Sequence, residues 1–428
     1  MRILYTVIFY LILPFIFLRL LWRSRRAPAY RKRWAERLGY GSYQLDKSIW
    51  IHAVSLGESI AATPFIKALQ ERYPLIPIVV TNMTPTGSAH IQKTFGNTVL
   101  QQYVPYDLPF CLQHFLKRAR PLVAIIVETE LWPNLFYVCQ KNQIPIFVVN
   151  ARLSQASAAG YSRVKRLTQQ MLSNVHTIAV QTESELQRFI ELGLESKKGC
   201  VSGSIKFDIT APRDLISQGA ALRDQLGYAR HVWIAASTHA GEEEIIFAAH
   251  KKILTVFPTA LLIIVPRHPE RFNSVFALAQ SQHFRITKRS EKSDDLSTAE
   301  SYLCDSVGEM MLMYAASDVA FVAGSFADIG GHNMLEPAVL AKAIVTGPTL
   351  YNFAEISEML INKNGMVTVQ DAEELSNVVI KLFQDENYRK TMGENAEAVV
   401  VSNRGALAKQ LAIAKDIIDA RLAQQNAL

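Results

Sequence analysis

The sequence predicts an α/β protein: two tandem doubly wound domains behind an N-terminal membrane-anchor helix. Three observations predict it. Short β-branched runs alternate with amphipathic stretches along most of the chain, and the runs are apolar throughout, as in parallel strands covered on both faces. The alternation lapses once, around KFDITAPRD (206–214), and then restarts. An uncharged apolar segment, ILYTVIFYLILPFIFL (3–18), leads the chain. A length of 428 residues exceeds one ordinary core and suits two domains of about 200 residues.

With Leu20 to Trp22 added and Arg19 snorkelling, the leading segment reaches the roughly 20 residues of a spanning helix. It predicts an anchor over residues 1–22, with Pro14 interrupting it. A basic juxtamembrane segment follows over 23–48. The whole chain carries net charge +7, and between Arg19 and Arg37 stand eight basic residues (Arg19, Arg23, Arg25, Arg26, Arg31, Lys32, Arg33 and Arg37) against Glu36, so the remainder is close to neutral. Such a cluster beside an apolar segment suits anionic inner-membrane lipids, and no nucleic-acid motif accompanies it. The positive-inside bias places everything after residue 22 in the cytoplasm. Charges between apolar core and the Ala27-Pro28-Ala29 sequence argue against a cleaved signal peptide.

The first domain, 49–208, has predicted strands IWIHAV (49–54), IPIVVTN (76–82), VLQQYVP (99–105), LVAIIVE (122–128), IPIFVVN (144–150) and TIAVQ (177–181). The second, 209–428, has VWIAAS (232–237), ALLIIVP (260–266), FRIT (284–287), DVAFVAG (318–324), AIVTG (343–347) and GMVTV (365–369). KRSEKSDDLSTAES (288–301) reads as a surface loop. The last helix, AKQLAIAKDIIDARLA, is free to pack back on the first domain. Four widely spaced cysteines without C-x-x-C read as free thiols in a reducing compartment.

In such sheets ligands bind beyond the carboxyl ends of the strands. In HAVSLGES (52–59), Ser55 and Glu58 have capping-box spacing. The competing start signal Thr63-Pro64 instead places the helix start later and Glu58 in a tight turn ahead of it. VETELWPN sets Glu128 and Glu130 at a strand end, where an unpaired carboxylate is costly. VPRHPERF puts Arg267 and His268 after a strand, and the planar Arg fork suits phosphate. AASTHAGEEE offers free helix N–H groups to an anion. In AGSFADIGGHNMLEP, two glycines allow close ligand approach, and Asn333 and Glu336 again have capping-box spacing. No G-x-G-x-x-G follows the first strand, no P-loop occurs, and no Asp-x-Asp metal signature is present. Together these loops suggest a nucleotide on the second domain, carboxylates on the first, and group transfer to a lipid-borne acceptor.

From RWAERLGY through WIHAVSLGE, TPTGS, PYDLP, ETELWPNL, VNARLS, GSIKFD, PRHPERF, VGEMMLMYAASDVAFVAGS and GGHNMLEP, the chain resembles the 3-deoxy-D-manno-octulosonic acid (Kdo) transferases of Gram-negative bacteria. Phe326-Ala327-Asp328 departs from the apolar or Pro-containing stretch usual before GGHN. The resemblance implies a GT-B fold and inverting transfer of Kdo from CMP-Kdo to the lipid A precursor (lipid IVA). It places that transfer at the cytoplasmic face of the inner membrane, with no metal or other cofactor. It implies Glu58 as general base and Glu128 and Lys206 as transition-state support. For CMP it implies Pro266, Arg267 and His268; Val307, Gly308 and Glu309; and Asn333, Met334, Leu335 and Glu336. The rival readings are another membrane-associated GT-B enzyme using a UDP-sugar, and a non-catalytic nucleotide-binding scaffold.

Overall fold

The computed structural model describes residues 1–25, 27–291 and 296–426. It divides into two compact units, Met1–Lys206 with Arg404–Leu428, and Phe207–Asn403.

The first unit is built on seven strands, β1 (Ser48–His52), β2 (Ile78–Asn82), β3 (Leu100–Tyr103), β4 (Pro121–Val127), β5 (Ile146–Ala151), β6 (Thr177–Val180) and β7 (Gly199–Val201). All pair in parallel, in the order β3-β2-β1-β4-β5-β6-β7. The chain builds outward from β1 in one direction, then returns to β1 and builds in the other, so β1 and β4 flank a topological switch point. Every residue of β1 and β4 is buried, with Trp50 and Ile126 in the core on one face and Ile51 and Val127 in the core on the other. The C-terminal helix Ala406–Asn426 belongs to this unit. Its Ala414, Ile417 and Ile418 enter the sheet core, and Tyr73 donates to Asp419 Oδ1 at 2.8 Å.

The second unit repeats the plan with β8 (Val232–Thr238), β9 (Leu261–Pro266), β10 (Ile286–Lys288), β11 (Ser301–Leu303), β12 (Val319–Val322), β13 (Ala343–Thr346) and β14 (Met366–Thr368). The order is β10-β11-β9-β8-β12-β13-β14, all parallel, and β8 and β12 flank its switch point.

Four sequence expectations need correction. β7 and β11 were not expected; at three residues each, led by Gly and Ser, they are too short to show a pattern. The surface loop expected over 288–301 is partly structured: Lys288 ends β10, Leu296 and Ala299 are buried and Ser301 opens β11, while 292–295 lie outside the described residues. The helix after β1 runs Leu56–Arg72 and does not wait for Thr63-Pro64. Pro64 sits inside it, and the carbonyl it leaves unbonded belongs to Ile60, which is exposed and open to solvation. Nor is the basic cluster one surface: Arg37 is 2% exposed, donates to the Met83 carbonyl and stacks on Tyr103. Arg33 is tied to Glu36, Ser88 and the Gln101 carbonyl, and Arg26 lies outside the described residues.

The N-terminal helix, Arg2–Arg23, is long and apolar enough to cross a membrane. One face packs on the first unit, where Leu20, Phe9 and Phe17 meet Tyr106 and Leu108.

Candidate active site

Glu58 opens the helix that follows β1. Its backbone N–H donates to Ser55 Oγ (3.2 Å), while its Oε1 accepts from the Ser55 N–H (3.2 Å) and Ser55 Oγ (2.6 Å). The capping box is therefore real. Yet Oε2 accepts a single bond, from the Val54 N–H at 2.7 Å, and keeps a lone pair for another proton. The carboxyl is 7% exposed, and its pKa rises to about 7. Burial is the largest cause; the negative charges of Glu130 and Glu128 push the same way, against the bonds from Ser55 and Val54. A helix N-terminus alone lowers a carboxylate's pKa. Here desolvation wins.

The two acids come from the adjacent strand end. His52 of β1 sits beside Ile126 of β4, so the turns after them face the same edge. Glu128 has φ 60°, a left-handed conformation that costs a non-glycine residue about 1–2 kcal/mol, and its N–H continues the ladder to the Val149 carbonyl at 2.9 Å. Glu130 accepts from Trp132 Nε1 at 2.6 Å, and burial raises its pKa. Lys206 lies in a short 3-10 turn, Ile205–Phe207, at the end of the first unit.

In the second unit the nucleotide-binding expectations fall at three strand ends, those of β9, β11 and β12. Arg267 and His268, both exposed, follow Pro266 at the end of β9. Val307, Gly308 and Glu309 follow β11; Gly308 has φ 96° with open space where a side chain would stand, and Glu309 pairs with Arg289 at 3.1 Å. After β12, Asn333 Oδ1 accepts from the Leu335 N–H and Asn333 Nδ2 donates to Glu336 Oε1, both at 3.1 Å. This is an Asn-led turn into a four-residue helix, Leu335–Ala338, and not the capping box its spacing suggested. Burial raises Glu336, while Asn333 and the Arg267 charge pull it down. The Met334 and Leu335 side chains are fully inside the core, so only their backbone is available to a ligand.

The family described as 3-deoxy-D-manno-octulosonic-acid transferase (kdotransferase) matches residues 32–209. A 3-deoxy-D-manno-octulosonic acid transferase of Haemophilus influenzae is 39% identical over 422 residues, 98% of this chain and 99% of its own. The chain belongs to the Kdo transferase family. Among solved structures, Anabaena HepE in complex with UDP shares the fold at TM-score 0.53 and 13% identity, over 86% of this chain and 99% of that one. The C-terminal CMP-Kdo binding domain of WaaA from Acinetobacter baumannii is 36% identical over 44% of this chain and 99% of its own, at TM-score 0.43. This Kdo transferase is thus a glycosyltransferase of GT-B type.

Three features of the Kdo transferase escaped the sequence reading. Glu242, 1% exposed, accepts from the N–H groups of Gly324 (2.8 Å), Ser325 (3.0 Å) and Phe326 (3.0 Å), and from the His239 N–H at 3.0 Å. In AASTHAGEEE the sequence offered N–H groups to a ligand anion; the chain's own carboxylate instead holds the glycine loop after β12. Second, His239 and His332 meet Nε2 to Nε2 at 2.8 Å across the switch point, rings stacked at 5.0 Å, with His268 edge-on to His239. Burial and the neighbouring cations push His332 down to about 4, and burial lowers His239, so the pair is uncharged at neutral pH, one ring donating to the other. Third, Asn150 at the end of β5 is fully buried with φ 53°. Its Oδ1 accepts from the Ile205 N–H and its N–H donates to Gln410 Oε1, both at 3.1 Å, which ties the residue before Lys206 to the C-terminal helix. VNARLS carried this last signal, since Asn tolerates the left-handed region.

Proposed function

We propose that this enzyme transfers Kdo from CMP-Kdo to the lipid A precursor, with inversion, without a metal, at the cytoplasmic face of the inner membrane. The family supplies the transferred sugar. The observation that carries the chemical reading is Glu58, a buried carboxylate with a spare lone pair and a pKa near working pH. In inverting transfer the acceptor hydroxyl oxygen bonds to the anomeric carbon as the bond to the CMP phosphate breaks. The leaving CMP takes the electron pair, and the hydroxyl proton passes to Glu58. A base with its pKa near operating pH is the most effective in that role. Glu128 and Lys206 support the charge that develops. The exposed Arg267 takes the phosphate, flanked by His268 and by the neutral His239–His332 pair. Glu336 and Asn333 take the ribose hydroxyls, and the backbone of Val307–Glu309 and of Met334 and Leu335 lies against the nucleotide. The apolar N-terminal helix and the exposed Arg19, Arg23, Arg25, Arg31 and Lys32 support attachment to anionic lipid.

Purified enzyme incubated with CMP-Kdo and tetraacylated lipid A precursor in excess EDTA tests the reading. The expected result is a Kdo-bearing lipid product by mass spectrometry. No product there, with transfer from a UDP-sugar instead, would overturn the donor; product only after adding a divalent cation would overturn the metal-free step.

A further inference from the structure

The N-terminal helix has two sides of different character. Arg2, Tyr5, Thr6, Phe9, Leu13, Ile16, Phe17 and Leu20 are buried or half-buried, whereas Leu4, Leu11 and Leu18 are 59%, 69% and 61% exposed. Seven-residue spacing aligns these three leucines on one line, opposite the packed side.

The packed side is occupied from end to end. At the start, Arg2 Nη1 donates to Asn134 Oδ1 at 3.0 Å and stacks on Tyr137 at 3.5 Å, and Thr6 Oγ1 reaches the same Asn134 oxygen at 3.0 Å. At the other end, Phe17 packs on Trp34 and Tyr106. Asn134 is no lipid-facing residue. It opens the helix Pro133–Lys141, whose first N–H groups go to the buried Asp107 carboxylate. Were this helix to cross a bilayer, its 22 residues, about 33 Å, would carry those polar groups into the hydrocarbon or lose every contact named here.

We propose that the helix does not span. It lies in the membrane plane, docked lengthwise on the first unit, with the Leu4–Leu11–Leu18 line in one leaflet and its amino terminus on the same side as the catalytic units. The occupant of the exposed face is an anionic leaflet: the face is apolar and uncharged, and the exposed Arg19, Arg23, Arg25, Arg31 and Lys32 stand at the carboxyl end to meet headgroups. The helix therefore holds one edge of the first unit against the surface where a lipid acceptor resides. This inference rests on the membrane attachment proposed above.

The test is nitroxide depth on the full chain bound to phosphatidylethanolamine–phosphatidylglycerol vesicles. Leu4→Cys, Leu11→Cys and Leu18→Cys are labelled singly in a Cys200→Ser background, the other three native cysteines being buried. An in-plane helix puts all three labels at one shallow depth, about 5–10 Å below the headgroups. A spanning helix puts Leu11 deepest, with Leu4 and Leu18 displaced by about 10 Å along the axis on either side, and overturns the proposal. Protein that floats with the vesicles while none of its labels meets lipid also overturns it, leaving attachment intact; protein that fails to float removes the membrane reading as well.

Discussion

At the carboxyl edge of the first sheet, β1 and β4 deliver Glu58, Glu128 and Glu130; at the same edge of the second, β8 and β12 deliver His239 and His332, with Arg267 and His268 from β9. Both are switch points of parallel sheets, and the charge is opposite. In the first unit burial and like charge raise an acid until it holds its proton near neutrality. In the second, burial and nearby cations lower His239 and His332, which favours the uncharged rings, each still carrying one N–H. In the proposed mechanism the first switch point receives the proton and the second the phosphate. The comparison also separates two uses of a helix-opening glutamate. Glu58 keeps a free lone pair, whereas both Glu242 oxygens are consumed by backbone N–H groups.

The widest break in this comparison comes from Glu58→Gln. Gln still completes a capping box, so the thermal midpoint stays close to wild type while transfer falls by about 10²–10⁴-fold. Full activity in the folded variant would reduce Glu58 to a cap. Glu242→Ala strands several buried N–H groups, and urea denaturation is expected to show a loss on the order of 3 kcal/mol or more, with CMP affinity reduced as the loop after β12 loosens; a neutral result would mean that the loop holds itself. Arg267→Ala removes a charged hydrogen bond, weakening CMP binding by about 10–100-fold in calorimetry with little change in stability. Unchanged affinity would move the phosphate elsewhere.

Much of this was legible in the sequence. The alternation gave the strands that matter, and HAVSLGES, VETELWPN and VPRHPERF each do end a strand. What a linear sequence lacks is strand order. That the turn after β1 and the turn after β4 are neighbours follows only from the sheet being wound both ways from β1, and with it follows the effect of Glu130 on Glu58. His239 and His332 were missed for the same reason, since each alone reads as an ordinary loop histidine. The helix start at Leu56 was misread because Pro64 is a strong local signal that tertiary packing overrides. Leu296, Ala299 and β11 were hidden because a polar composition outweighed three buried positions.

The smallest of the expected effects is the most direct test. In the proposed mechanism Glu58 is the base, and the Glu130 charge is one of the causes that raise its pKa. Activity needs the ionised form, so kcat/KM for Kdo transfer falls as pH drops through about 7. Glu130→Gln removes one negative charge that holds Glu58 up, so the acid limb of its profile should move to lower pH. Side-by-side profiles of wild type and Glu130→Gln from pH 5 to 9, measured over about four units, decide it. A limb near 7 that shifts downward in the variant is the predicted result; a limb that does not move, or a wild-type profile with no limb there, would contradict the account.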